Sequence, residues 1–237
     1  MKRAIRNQFQ LSKNKCLGVL TIELGGFLAG MIVLAILMRF VVDEGEGTFP
    51  LATILAAFVG AVLLFANFGN DFTSQFYTQI SLGCTREEFF VSMLLNELLL
   101  SAFGMLILLV LAAAEDALNL HLYPAEEPVF AIFPVFLRYG IAAVLGLPAA
   151  AALFGALVNR FGQVMRVVFL VAWMTFWIGG PRVGEAVLHP EEALPVYQRI
   201  AQAIMAVPSG AWPVVGVLVF ILTLGAAWMF MRTQQVN

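Results

Sequence analysis

The sequence predicts an all-α integral membrane protein with six transmembrane helices. Of the 237 residues, 61% are hydrophobic and only 12% are charged, and the mean hydropathy is +0.91. Soluble domains carry about 25% charged residues, so this chain has too few polar groups to cover a globular surface. Its apolar residues also fall into long runs, and roughly 20 such residues cross the hydrocarbon core of a bilayer as a helix.

The apolar runs place six spans in a single transmembrane domain covering residues 1–237. The predicted spans are residues 16–42, 50–67, 89–113, 129–158, 162–180 and 210–231. The first run is too long for a signal-peptide core and ends without a small-residue cleavage site, so we expect it to remain as a helix. The second span is short. The fourth holds Pro134 and Pro148, which predict a kink or a re-entrant start, and Pro181 is expected to end the fifth.

The positive charges fix the expected orientation. With the N-terminus inside, nine Lys and Arg residues fall on the cytosolic side and two, Arg182 and Arg199, fall outside. Both termini are then cytosolic, and a lipid bilayer is the surrounding medium. The acids expected outside are Asp43, Glu44, Glu46, Glu115, Asp116, Glu126, Glu127, Glu185, Glu191 and Glu192. Cys16 and Cys84 fall on the reducing side, so neither a disulfide nor a metal site is expected.

Residues 1–15 have the pattern of an interfacial helix. Ile5 and Phe9 lie four residues apart, with Lys and Arg around the rest of the surface. Such a helix lies on the inner leaflet with its basic side toward anionic headgroups. The alternative is a basic tail that only fixes the topology.

The inner loop at residues 67–90 carries the most informative pattern. Phe72, Phe76 and Ile80 recur every four residues with Tyr77 beside them, which predicts a short amphipathic helix. Gly83 is placed to stop that helix in the left-handed conformation. The sequence Thr85-Arg-Glu-Glu88 has the spacing of a capping box that starts the next span. An aromatic stripe facing the cytosol fits a groove in a partner protein, or it lies on the lipid headgroups.

The six-span layout and the wording of this loop resemble a known family. Residues 81–89 read Ser-Leu-Gly-Cys-Thr-Arg-Glu-Glu-Phe, and the chain ends in a last helix with a short tail. This resembles the permease subunits of bacterial ATP-binding-cassette exporters of the second exporter class. The resemblance implies a location in the bacterial cytoplasmic membrane and the export of an amphipathic or hydrophobic peptide, antibiotic or lipid.

The same resemblance implies partners and a coupling site. Residues 72–82 would be the coupling helix that sits in a cleft of a cytosolic ATPase subunit. A second permease subunit, identical or similar, would complete the pathway. ATP and Mg would be bound by the ATPase, with no cofactor in this chain. The implied coupling residues are Phe72, Phe76, Tyr77, Ile80 and Arg86.

The chain lacks the motifs of an enzyme. Every lysine lies within the first 15 residues, so there is no G-x-x-x-x-G-K-[ST] loop for ATP hydrolysis. Neither H-E-x-x-H nor G-x-S-x-G occurs, so no catalytic residue is assigned. The basic charge lies where topology requires it, which argues against nucleic-acid binding. The alternative to a transporter is a non-transporting module, in immunity or sensor coupling, that docks a cytosolic partner through the 72–82 loop.

The outer segment 181–209 holds a second amphipathic stretch. Tyr197, Ile200 and Ile204 fall on one side at helical spacing. The family resemblance implies an extracellular gate there, formed by short helices that dip into the outer leaflet. The alternative is an amphipathic connector without a gating role.

Ionisable residues inside the apolar spans are costly and by default functional. Arg39 is near a span end and is expected to reach Asp43 or Glu44. Glu23 and Glu97 either line an inner vestibule for a cationic substrate or pair with basic residues at the cytosolic ends of spans 4 and 5, Arg160 or Arg166. Arg138, the deepest basic group, faces a wet cavity or binds the carbonyls of a broken helix.

Small residues spaced four apart permit close helix approach, either inside the bundle or at a dimer face. The candidate pairs are Gly26 with Gly30, Ala142 with Gly146, and Ala151 with Gly155.

Overall fold

The computed structural model describes the backbone of residues 2–40, 48–122, 131–188, 191 and 194–233. Within these ranges six helices are long and apolar enough to cross a membrane. They follow the predicted order of spans, so the all-helical, six-span fold class is confirmed at this level. The helices are α1 (Lys2–Phe40), α2 (Leu51–Ser81), α3 (Arg86–Leu122), α4 (Ile132–Phe161), α5 (Gln163–Leu188), α6 (Pro195–Met205) and α7 (Trp212–Arg232), with a 3₁₀ turn at Ser209–Ala211.

Helix α2 is much longer than the predicted second span. It continues without interruption from Leu51 to Ser81. The prediction of a separate short helix at residues 72–82 is therefore wrong, because residues 72–81 are helical but belong to the end of α2. Residues 67–71 contain no proline, and Gly69 is packed against Phe154 rather than left free to turn. At about 1.5 Å per residue, 31 residues extend roughly 46 Å, which exceeds the roughly 30 Å of a hydrocarbon core.

Helix α1 likewise has no end where the sequence predicts one. Residues 2–15 are helical, as predicted, but they continue directly into the apolar part of the same 39-residue helix. The predicted interfacial helix is thus the first part of α1 and not an element of its own.

Residues Met1–Gly155 form one compact unit, and its core lies between α1, α2 and α3. Gly26 and Gly30 of α1 lie against Ala56 and Ala52 of α2. A Cβ at Gly30 would lie 2.4 Å from the Ala52 Cα, so the two backbones are in direct contact there. This small-residue pair therefore serves packing inside the bundle. Buried apolar side chains of this core form clusters. One consists of Val19, Leu64, Phe68, Leu100 and Ala151, and another of Phe27, Ala52, Ala56, Leu108 and Leu111.

The first part of α4 belongs to the same unit. A Cβ at Gly155 would lie 2.5 Å from the Phe72 Cβ, so the Ala151–Gly155 spacing also serves close contact. A Cβ at Gly146 would have no neighbour within 4 Å, and Ala142 is exposed. Pro134 lies in the first turn of α4, where proline is tolerated, and the helix continues through Pro148.

Residues Ala156–Gln235 form the second unit. Gly162, at φ +65°, separates α4 from α5, and α5 packs against the short helix α6. Helix α5 itself continues through Pro181 to Leu188, beyond the predicted end of the span. Its apolar window, Gln163–Gly180, nonetheless matches the predicted fifth span closely.

Candidate functional site

The turn between α2 and α3 has the conformation that its sequence predicts. Gly83 has φ +86°, the left-handed region that favours glycine. Its N–H donates to the Ile80 carbonyl, and the Cys84 N–H donates to the Gln79 carbonyl, each at 3.0 Å. These two hydrogen bonds are those of a Schellman motif, which satisfies the last carbonyls of α2.

The capping box at the start of α3 is also present. The Glu88 N–H donates to Thr85 Oγ1 at 3.2 Å, and the Thr85 N–H donates to Glu88 Oε2 at 3.3 Å. The two side chains therefore satisfy each other's backbone donors, as the Thr-x-x-Glu spacing predicts.

The aromatic stripe lies inside the protein and does not face the cytosol. Phe72 and Phe76 are fully buried. The Phe89 ring of α3 meets both of them edge-on, at centroid distances of 6.0 and 5.5 Å. Phe90 lies 6.2 Å from Phe72. Because the capped turn sends α3 back along α2, Phe72 and Phe76 become core residues of the hairpin, and the expectation that they are exposed anchors is wrong.

The turn exposes a smaller set of residues, which we call the turn surface: Tyr77, Ile80 and Leu82. Leu82 is 78% exposed and Tyr77 is 42% exposed, while Ile80 is half-buried. The Tyr77 ring packs edge-on against Phe76 at 5.3 Å, so the buried stripe holds it in place. Arg86 is half-buried in the first turn of α3.

Cys84 lies beside the turn surface and is half-buried. Burial raises the pKa of its thiol, and the Glu88 carboxylate acts in the same direction. The thiol is therefore mostly protonated and weakly nucleophilic at neutral pH.

Glu23 and Glu97 are buried inside the α1–α2–α3 bundle. Glu23 is 1% exposed and Glu97 is fully buried. Neither carboxylate has a hydrogen-bond partner in the part of the chain that the structure describes. The Arg160 guanidinium, in the other unit, donates to Thr233 Oγ1 at 2.7 Å, and its pairing with these glutamates stays a prediction. Arg166 is exposed.

A cavity of about 290 Å³ lies beside these glutamates, mainly between α1 and α2. Its lining is apolar on one side, with Gly60 and Leu100, and polar on the other. There the Lys15 ammonium donates to the Asp71 carboxylate in an ion pair. The polar lining is completed by Asn14 and Asn67.

The other intramembrane cations stack on neighbouring aromatic rings. Arg138 is exposed, with its guanidinium 5.4 Å from the centre of the Tyr139 ring. Helix α4 is continuous around Arg138, so there is no broken helix for it to cap, and its contact with a wet cavity stays a prediction. Arg39 lies 6.0 Å over Phe40, and its expected partners Asp43 and Glu44 lie outside the described residues.

The predicted outer stripe falls on helix α6. Tyr197 is half-buried, while Ile200 and Ile204 are 43% and 42% exposed. Ala201 is the buried contact of this helix. The helix exists as predicted, and its gating role stays a prediction.

Glu115 has a role that sequence reasoning missed. The charge distribution predicts an outer loop for this residue, but α3 extends past it to Leu122 and buries it completely. Its carboxylate accepts the Ala52 N–H at 2.9 Å and the Thr53 N–H at 2.7 Å. Helix α2 has Pro50 at its N-cap and no cap from its own side chains, so Glu115 supplies the missing acceptors. The sequence shows only the uncapped proline start, which does not identify a partner 63 residues away.

These observations define the class of protein as a helical, multi-pass membrane protein. Comparison of the chain with protein-family models, with curated proteins and with solved structures gave no significant match. Among the residues that the structure describes, no cluster of three or more His, Cys, Asp or Glu side chains could hold a metal ion.

Proposed function

We propose that this chain is the permease subunit of an ATP-driven exporter in a bacterial cytoplasmic membrane, with both termini in the cytosol. It exports an amphipathic or hydrophobic compound, a peptide, antibiotic or lipid. A separate ATPase subunit binds ATP and Mg, and a second permease subunit, identical or similar, completes the pathway. This chain itself has no catalytic residue.

The observation that carries the proposal is the α2–α3 turn. The family-like segment from Ser81 to Phe89 ends one long helix and caps the next, with the turn surface at the tip. Both helices are longer than the hydrocarbon core of a bilayer. A force that a partner protein applies to the turn surface therefore acts on both α2 and α3. Buried aromatic contacts between Phe72, Phe76 and Phe89 join the two helices just behind the tip.

The location of the exposed residues refines the coupling hypothesis. Phe72 and Phe76 act as internal supports, and Tyr77 and Leu82 are the residues available to an ATPase cleft. Ile80 and Arg86 lie at the border of this contact. A substitution at Phe76 would disturb the core of the hairpin, so it does not test docking.

The experiment is an affinity purification from native membranes in mild detergent, followed by mass spectrometry of the co-purified proteins. We compare wild type with Leu82→Asp. The matched control is Leu120→Asp, because Leu120 is 72% exposed in the last turn of α3, at the opposite end of that helix. We expect an ATPase with wild type and with the control. Its recovery should fall about ten-fold or more with Leu82→Asp, as for loss of an interface anchor worth at least about 1.4 kcal/mol.

Two results would contradict the proposal. If no ATPase co-purifies with wild type under conditions that preserve complexes, the proposed exporter has no source of energy. If Leu82→Asp recovers as much ATPase as wild type, the turn surface is not the docking site. A purified complex whose ATPase is not stimulated by any amphipathic compound favours the alternative, a non-transporting module that uses the same turn for docking.

A further inference from the structure

Ionisable groups follow one another along the length of the α1–α2–α3 bundle, in its interior. The Lys15–Asp71 ion pair is nearest to the α2–α3 turn. Glu97 follows, and Asp71 and Lys15 both act on it electrostatically. Glu23 lies deeper, against Gly104 of α3. Because Glu97 and Gly104 are seven residues apart on α3, the two glutamates are separated by about 10 Å along the bundle.

Glu23 sits in a notch made by two glycines. A Cβ at Gly104 would lie 2.8 Å from Glu23 Oε1, and one at Gly60 would lie 3.1 Å from the same oxygen. The Glu23 carboxyl therefore occupies space that a side chain at either glycine would need. The groups that lie against Glu23 from α2 and α3 include the backbones of these two glycines and, beside Gly104, the Leu64 side chain, and none of these carries a charge.

In the part of the chain that the structure describes, neither glutamate has a charge partner of its own. Lys15, the ammonium that acts on Glu97, donates to Asp71 and is already paired. Both oxygens of Glu23 and both oxygens of Glu97 lack a hydrogen bond within the described residues. An isolated carboxylate in such an apolar interior is so costly that the group takes up a proton instead.

We propose that Glu23 and Glu97 form a proton-binding pair, reached from the cavity between α1 and α2. A proton adds to the Glu23 carboxyl without displacing the two glycine backbones packed against it. Gly60 borders both the cavity and the Glu23 carboxyl. The carboxyl is therefore next to the cavity, whose other end has the polar lining. The cavity is large enough for several water molecules at about 30 Å³ each. This proposal does not depend on an ATPase partner.

The test is infrared spectroscopy of the full-length protein in lipid nanodiscs at neutral pH. A protonated carboxylic acid has a carbonyl band that is separate from the bands of ionised carboxylates. We compare wild type with Glu23→Gln, Glu97→Gln and the double variant. The control is Glu87→Gln, since Glu87 is exposed in the first turn of α3. Each single variant should lower the protonated band, the double variant should lower it by the sum, and the control should leave it unchanged.

A protonated band that is equal in wild type and the double variant would overturn the proposal, because both groups would then be ionised. Loss of the band from wild type on adding tetramethylammonium chloride would also overturn it, in favour of a cation site. A folded Gly104→Ala variant provides an independent test, because it retains both glutamates. Its added methyl group should shift the frequency of the Glu23 band, and an unchanged spectrum would contradict the notch.

Discussion

Among the residues that the structure describes, three glutamates are almost completely buried, and their surroundings give them different roles. Glu115 accepts two backbone N–H groups at the start of α2, where the helix dipole also favours negative charge. Glu23 and Glu97 receive no such donors among the described residues. The same side chain is thus a helix cap at one position and a candidate proton carrier at the other two.

We expect Glu115→Gln to destabilise the protein. A glutamine amide presents one acceptor oxygen, so the Ala52 or Thr53 N–H would face an NH₂ group and remain unsatisfied. Leaving a buried donor without a partner costs about 1–3 kcal/mol. The thermal unfolding midpoint in detergent should therefore fall. Glu23→Gln is the matched control, because it makes the same chemical change where no donor is satisfied, and its midpoint should stay near that of wild type. Equal midpoints for Glu115→Gln and wild type would show that the cap does not contribute.

At the scale of elements, the caps of the α2–α3 turn were predictable, whereas the lengths of the helices and the burial of their faces were not. The turn at Gly83 and the Thr85–Glu88 box are predicted correctly because caps depend on residues within a few positions of one another. The predicted exposure of Phe72 and Phe76 is wrong because it depends on where Phe89 lies after the chain reverses. A short amphipathic helix and the end of a long buried one have the same periodicity.

The contact between α1 and α2 provides a prediction about elements. Gly30→Ala places a Cβ 2.4 Å from the Ala52 Cα, so the two helices must move apart. Overpacking of this kind costs about 1–3 kcal/mol, and we expect a lower thermal midpoint. Gly25→Ala is the control: it lies on the same helix with no atom within 4 Å of its added methyl, and alanine favours helix. If both variants unfold at the wild-type temperature, the close approach of α1 and α2 is not a stabilising contact.

At the scale of the whole molecule, the hydropathy of the sequence was sufficient for the number and order of the spans. Long apolar runs determine them locally, without knowledge of tertiary contacts. The partners of individual ionisable groups could not be predicted. Glu115 joins α3 to α2 across 63 positions, and Arg160 is satisfied by Thr233 rather than by an acid. Such pairs depend on the packed arrangement, which hydropathy does not encode.

The orientation of the whole molecule can be tested with its own cysteines. The distribution of Lys and Arg predicts that the α2–α3 turn, and Cys84 with it, lies in the cytosol. In a Cys16→Ser variant, a membrane-impermeant maleimide should label Cys84 in inside-out vesicles and leave it unlabelled in right-side-out vesicles. A second variant reports the opposite side of the membrane. It carries Glu191→Cys in a background without the native cysteines (Cys16→Ser and Cys84→Ser), and we expect labelling in right-side-out vesicles and none in inside-out vesicles.

The pH dependence of this labelling separates true exposure at the turn from general unfolding. The thiolate is the reactive form, and burial beside Glu88 raises the pKa of the Cys84 thiol. At neutral pH the labelling of Cys84 should therefore be slower than that of the unfolded protein, and it should accelerate as pH rises through the raised value. Labelling of Cys84 in right-side-out vesicles would invert the predicted topology. It would place the turn surface outside the cell, where no cytosolic ATPase could reach it.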